Sequence, residues 1–234
     1  IISAEMIKNK KRPHGGDFHI VPVGTGDVVE ILINSGISCE TCPQYLEFCR
    51  DDFNKIGSAL KIAPPVKRDG ENYKLWKSLS EGKIDYCTSD HAPSSRQDKS
   101  TGSIWTDYSG IPGSGTLWQY LYSEGFKKER LSLSRFLQVI SENAAKRFNF
   151  YGRKGSIECG KDADLVILNP EETTIINGEN FFSKGHVTPF EGMEFSGKIV
   201  KTVLRGKTVY DQKKGILVDG GYGNLIKPQK GEDR

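Results

Sequence analysis

Histidine is scarce in this chain. Its 234 residues include four, His14, His19, His91 and His186, and no two are spaced as a ligand pair, so a metal site made only of neighbouring histidines is excluded. Long apolar runs are missing too: none approaches the ~20 residues that a membrane-spanning helix needs. Excess charge of one sign is absent, with 33 basic against 30 acidic side chains and a net charge of +3, too little to imply a nucleic-acid partner. The one basic run, Lys8-Asn9-Lys10-Lys11-Arg12, is short, lacks interleaved aromatics and reads as a solvated helix end. A charged leader with a cleavage pattern is missing, so no signal peptide is expected. The start, Ile1 to Ile7, has no initiator Met and lies inside an amphipathic helical pattern, as a fragment or processed chain would. A second CxxC is lacking. Cys39-Glu40-Thr41-Cys42 stands by itself, a zinc ribbon needs four ligands, and a redox pair wants a helix N-terminus directly behind it, whereas Pro43-Gln44-Tyr45 follows. The five cysteines therefore read as free thiols, mainly buried and structural, in a reducing, cytoplasmic setting. No GxxxxGK[ST] motif, internal repeat or low-complexity tract is present.

What remains is an ordinary globular composition, 36% hydrophobic and 27% charged. The first half alternates short apolar runs with helical patterns. Phe18 to Val23 predicts a strand. Thr25 predicts an N-cap for a helix through Val28, Val29, Ile31 and Leu32 that stops at Gly36. Ile37 to Thr41 predicts a second strand and Leu60 to Ala63 a short extended run halted by Pro64-Pro65. Asn72 to Ser80 predicts a helix with Leu75, Trp76 and Leu79 on one face, ended by Gly82. Another strand follows, ending at Asp90. Such alternation implies a parallel sheet with right-handed crossovers. Further helices are expected from Leu117 to a stop at Gly125, over Leu133 to Ile140, and over Ala144 to Phe148. After Gly155 the texture turns β-rich: Asp164 to Leu168, Lys198 to Leu204 and Thr208 to Tyr210 read as antiparallel strands. The boundary falls near Arg153, giving residues 1–153 and 154–234, with a loosely held tail from Gly220.

The stretch Ile84-Asp85-Tyr86-Cys87-Thr88-Ser89-Asp90-His91-Ala92-Pro93 carries the chemistry. A short buried strand ends in a carboxylate and an imidazole, and Pro93 forces the chain out of the sheet. By itself the pattern leaves two readings open: a reactive pair at a strand exit, or a turn-capping Asp90 beside an ordinary loop histidine. The long aperiodic stretch from Ala92 to Ser109 is of the kind that is functional or mobile. Gly110-Ile111-Pro112-Gly113-Ser114-Gly115 is either simple turn geometry or a place where backbone approaches a ligand closely.

Four motifs together resemble the cyclic amidohydrolases, the group of allantoinases, dihydropyrimidinases (hydantoinases) and dihydroorotases. They are Glu40-Thr41-Cys42-Pro43-Gln44-Tyr45-Leu46; Lys61-Ile62-Ala63-Pro64-Pro65-Val66-Lys67; Ser89-Asp90-His91-Ala92-Pro93; and Arg153-Lys154-Gly155-Ser156-Ile157 through Asp162 to Ile167, with Thr188-Pro189-Phe190-Glu191-Gly192. The resemblance covers nearly the whole chain. It implies an α/β fold, the C-terminal portion of a TIM-like (β/α)8 barrel (its last three strands and helices), followed by a small β-sandwich module. It also implies a site for two divalent metals, usually zinc, with Asp90 as metal ligand and proton shuttle. Ala63, Pro64, His91, Gly110, Pro112 and Gly113 would lie against the substrate, His91 beside the metals rather than on them, and His186 would be structural.

Two departures from the family pattern matter. Its remaining metal ligands would all precede Ile1, and the strand motif HIVHVS reads His19-Ile20-Val21-Pro22-Val23-Gly24 here, with Pro22 at a ligand position. Proline has no donor atom, and His19, three residues away along a strand, points to the other face. The implied reaction is hydrolysis of a cyclic amide C–N bond, allantoin first because Ala63 lacks the hydrogen-bonding side chain that hydantoinases and dihydroorotases carry there, dihydroorotate or dihydropyrimidine and hydantoin rings next. The alternative is a metal-poor pseudoenzyme or scaffold. The expected partners are a small cyclic amide or ureide, the N-terminal half of the barrel or a partner chain, and further copies in a homo-oligomer, with no nucleic acid and no membrane. The chain alone is expected to be inactive.

Overall fold

The computed structural model describes residues 4–6, 18–33 and 35–229. The basic run at residues 8–12 and His14 lie outside the described residues. Three short strands, β1 (His19–Ile20), β2 (Ser38–Thr41) and β3 (Tyr86–Cys87), form a parallel sheet in the order β1-β2-β3. Helix α1 (Gly26–Leu32) joins β1 to β2. Thr25 caps it as the sequence predicts, its hydroxyl accepting from the Val28 N–H. Between β2 and β3 lie α2 (Pro43–Glu47), α3 (Arg50–Ile56), a 3₁₀ turn (Gly57–Leu60) and α4 (Glu71–Ser80). In α4, Leu75, Trp76 and Leu79 are buried, which is the stripe that the 3.6-residue period requires. Full burial of each leucine is worth about 1.5–3 kcal/mol.

Register decides which side chains meet. His19 pairs with Ser38, and Glu40 with Tyr86, so these four share one face of the sheet. Cys39, Thr41 and Cys87 turn to the other face and are buried.

Several expectations are corrected. The run from Ile84 to Asp90 pairs as strand only at Tyr86 and Cys87, because the chain turns away once past Thr88. Of the extended run expected over Leu60 to Ala63, Leu60 instead closes a 3₁₀ turn, Lys61 is extended, and the Ala63–Pro64 peptide is cis. The helix starting at Leu117 does not stop at Gly125 but runs as α5 (Leu117–Tyr120) into a π-helical stretch, Leu121–Lys127. Leu133 to Arg147 is one helical run: α6 (Leu133–Leu137), a π-helical stretch at Gln138–Glu142, and α7 (Asn143–Arg147). Helices α2 and α3 fall where no helix was expected.

The β-rich end forms a four-stranded antiparallel sheet, β4 (Leu165–Ile175), β5 (Glu194–Leu204), β6 (Lys207–Asp211) and β7 (Gly215–Ile216), in sequence order. One sheet is a single layer, so the described residues do not by themselves make a sandwich. Pro170 sits where the β4–β5 ladder shifts register, between Asn169 and Thr173, as a residue with no N–H must. The sheet is fastened to the helices by an aromatic cluster: Tyr120 lies 5.7 Å from both Phe190 and Phe195, edge-on, and Phe190 is 4.8 Å from Phe48. The Ser196 N–H also donates to Ser123 Oγ on the π-helical stretch. The tail is tied at two points, Tyr222 O to Arg205 and Gln229 N–H to Asn149 O.

Candidate functional site

Beyond β3 one more ladder bond, Thr88 N–H to Thr41 O at 2.9 Å, carries the chain past the sheet. Asp90 then takes a left-handed backbone conformation, φ 47°, which aspartate tolerates better than most side chains. The turn sets its carboxylate beside Gln44, whose Nε2 donates to Asp90 Oδ2 at 3.4 Å. Burial and the nearby Glu40 carboxylate push the Asp90 pKa above the ordinary aspartate value, and the Gln44 donor offsets part of that rise. Gln44 is held by the start of α2. Cys42 adopts an extended N-cap conformation and Pro43 follows it, with φ already suited to a helix. The Gln44 side chain is fully buried, and its Oε1 has no hydrogen-bond partner.

On the shared sheet face His19 is engaged through both ring nitrogens. Nδ1 meets Ser38 Oγ at 2.7 Å, while Nε2 lies 2.9 Å from both Glu40 Oε2 and the Tyr86 hydroxyl. The Thr88 hydroxyl donates to Glu40 Oε1 at 2.5 Å. Four side chains from the three strands and Thr88 just past β3 thus satisfy one another, as a buried polar group must.

Three segments close over this end of the sheet. The Gly110 N–H donates to Lys61 O at 2.9 Å, the Ala92 N–H to Ile111 O at 2.8 Å, and the Tyr45 hydroxyl to Pro64 O at 2.6 Å. Ser114 Oγ and the Ser114 N–H both face His91 Nδ1, at 2.8 and 3.2 Å. A Cβ on Gly113 would stand 1.9 Å from Ser89 O, and one on Gly110 2.5 Å from Ala92 O, so both glycines are required by close approach. These bonds and approaches join the Lys61–Pro64, Ser89–Ala92 and Gly110–Ser114 segments to one another as a rim, next in the chain to Asp90. The segment from Ser94 to Tyr108 is pinned to that rim by Lys99, whose Nζ donates to Ser58 O and Lys61 O. Burial, with the charge of Lys61, lowers its pKa to about 8.

Among the described residues no three His, Cys, Asp or Glu side chains converge as a metal ion requires. Asp90 is a single carboxylate, His19 has both nitrogens committed, His91 is bonded to Ser114, and Pro22 lines an apolar cleft beside Ile20 and Pro64. The donors of this chain do not by themselves fit a metal pair. The cysteine reading is corrected in one respect: Cys42 does precede a helix N-terminus. Its thiol is nevertheless inert, since burial raises its pKa far above the ordinary value, and burial likewise raises Cys39 to about 12. Cys39, Cys42 and Cys87 are buried, whereas Cys159 is exposed. His186 Nδ1–H donates to Gly178 O at 2.9 Å and lies 3.8 Å from Glu179 Oε2.

Residue-by-residue reading passed over Gln44, Glu40 and His19 as parts of the site. Strand parity was the available signal for the sheet face: with Glu40 in register with Tyr86, Thr88 follows on the same side, whereas Asp90 lies beyond the strand in a left-handed turn.

A family model described as the amidohydrolase family matches residues 23–209. The chain is 36% identical over 221 residues to an allantoinase of Rubrobacter xylanophilus, covering 92% of this chain and 48% of that protein. It is 36% identical over 214 residues to an L-hydantoinase of Paenarthrobacter aurescens, covering 88% and 46%. Among solved structures, the L-hydantoinase (dihydropyrimidinase) from Arthrobacter aurescens superposes with a TM-score of 0.91 at 33% identity, over 97% of this chain and 51% of that one. The chain thus spans about half the length of the relatives it matches. On the strength of a match over most of its residues, the chain belongs to the amidohydrolase family.

Proposed function

We propose that the protein carrying this chain hydrolyses the C–N bond of a cyclic amide. The observation that carries the reading is Asp90: a half-buried carboxylate with raised pKa, set in a left-handed turn past β3 and held by the buried Gln44 amide. A carboxylate so placed takes the proton of an attacking water and passes it to the departing ring nitrogen. His91, the Ala63–Pro64 peptide and the Gly110–Gly113 turn surround the ring. Allantoin is the first substrate in this reading, because Ala63 offers the ring no side-chain hydrogen bond. Hydantoin, dihydropyrimidine and dihydroorotate rings come next. The relatives supporting it are named for both allantoin and hydantoin chemistry. They give the inactive-scaffold alternative no support.

The same reading treats residues 1–153 as the last three strands and helices of a barrel and 154–234 as part of a β-sandwich. It supplies two divalent metals, zinc first, mostly from residues outside this chain, and it assigns homo-oligomeric assembly and a cytoplasmic setting. The test is hydrolysis of allantoin, hydantoin, dihydrouracil and dihydroorotate by the whole protein, with elemental analysis of its metals. One ring is expected to turn over, and Asp90→Asn to lower kcat by at least about 10²-fold, the range for a positioned acid–base group. No turnover of any ring would end this reading.

A further inference from the structure

We infer that Gln44 is a positioning residue for this reaction, its side-chain amide fixing the carboxylate of Asp90; the inference rests on the proposed hydrolase function. Gln44 is fully buried, and among the described residues its side chain makes one hydrogen bond, Nε2 to Asp90 Oδ2 at 3.4 Å. Its Oε1 is buried without a partner. An apolar side chain of the same length would fill this volume without stranding a carbonyl oxygen, so packing alone does not explain an amide here. The amide orientation is also determined: reversing it would set Oε1 against a carboxylate oxygen, two acceptors face to face.

The base under Gln44 is held from both sides. The Tyr45 hydroxyl donates to Pro64 O at 2.6 Å, and Trp76 Nε1 donates to Leu46 O at 3.1 Å. Helix α2 is thereby clamped between the substrate rim and α4. The donor that meets Asp90 is carried on a backbone with little freedom, which is what holding a reacting group in one geometry demands. Asp90 needs such a donor because it lies past the end of β3 in a left-handed turn, and among the described residues Gln44 gives its carboxylate its one hydrogen bond.

The experiment compares wild type, Gln44→Met and a control, Leu46→Ala, in the whole protein, by steady-state kinetics, thermal melting and crystal structures. Gln44→Met is expected to melt no lower than wild type, since the stranded oxygen is gone. Its kcat should fall by roughly 10–100-fold, the usual range for a residue acting through a reacting group, with KM within about twofold. Its Asp90 carboxylate should be rotated or split between two conformers. Gln44→Glu, which keeps the volume but replaces the donor by a second carboxylate, should lose more. Wild-type kcat with Asp90 unmoved in Gln44→Met would overturn the inference. So would a loss matched by a melting drop like that of Leu46→Ala with Asp90 unmoved. If the wild type turns over none of the four rings, the hydrolase reading fails, and the position of Asp90 in the Gln44→Met crystal still decides for or against Gln44.

Discussion

At the scale of single residues, the site divides into side chains that announce themselves and side chains that do not. Asp90 is legible because it sits between a short apolar run and Pro93, a pattern that places a carboxylate at a strand exit. Glu40, His19 and Tyr86 are silent in sequence because their partners lie 21 and 67 positions away from His19, and only the strand register joins them. A carboxylate outside the site shows what burial does when it outweighs a hydrogen bond. Glu47, beside the Tyr120 hydroxyl at 3.0 Å, has its pKa raised, by burial first and by the neighbouring Glu124. A raised carboxylate holds its proton more tightly folded than unfolded, so its favourable contribution is present at low pH and lost as pH rises through the folded pKa. Glu47→Gln keeps an acceptor for Tyr120 and removes the charge. The variant is expected to show a higher urea midpoint than wild type at pH 8 and the same midpoint near pH 4. Equal midpoints at pH 8 would refute the assignment.

At the scale of elements, periodicity was a good guide wherever an element packs by one stripe, as α4 does. It failed at α2, whose five residues are all but one buried and therefore show no stripe. It failed again along Leu121–Lys127, where a π-helical stretch carries Gly125 past the point at which glycine was expected to stop the helix. Gly125 is instead a spacer: a Cβ there would meet Leu131 at 3.0 Å. The rim is the element whose geometry is most constrained. Gly113→Ala places a methyl group into the Ser89 carbonyl, backbone against backbone, so the two segments must separate and His91 loses Ser114. Gly70, by contrast, is left-handed at φ 85° with open space around its missing Cβ, so Gly70→Ala costs only the left-handed strain of about 1–2 kcal/mol. Thermal melting and ring hydrolysis should separate them. Gly70→Ala is expected to lose a few degrees and keep its activity, whereas Gly113→Ala should lose activity out of proportion to stability. Matching behaviour would show that the approach at Ser89 is not needed.

At the scale of the whole molecule, the class of fold was legible in the alternation of strands and helices and the later run of strands. The single-layer nature of β4–β7 was not, because alternating side chains show that a strand has two faces but not what covers each. In the structure one face meets the helices through Phe195 and Tyr120. Elsewhere on the sheet and its margin large apolar side chains are open to solvent, Ile175 at 63%, Ile216 at 59% and Phe182 at 81% exposed. Ile175, Phe182 and Ile216 border one cleft, which runs between the sheet and Trp118 of α5. A contiguous apolar surface of this kind in water draws other apolar surface onto itself, whether a dye or a second molecule. The 234-residue chain in solution is therefore expected to enhance the fluorescence of an apolar dye such as ANS and to sediment faster as its concentration rises. The double variant Ile175→Lys/Phe182→Lys puts two charges on that surface without entering the buried aromatic cluster, so it should retain the fold by circular dichroism while losing most of both effects. A wild-type chain that binds no dye and sediments alike at all concentrations would mean that the surface closes on itself in solution.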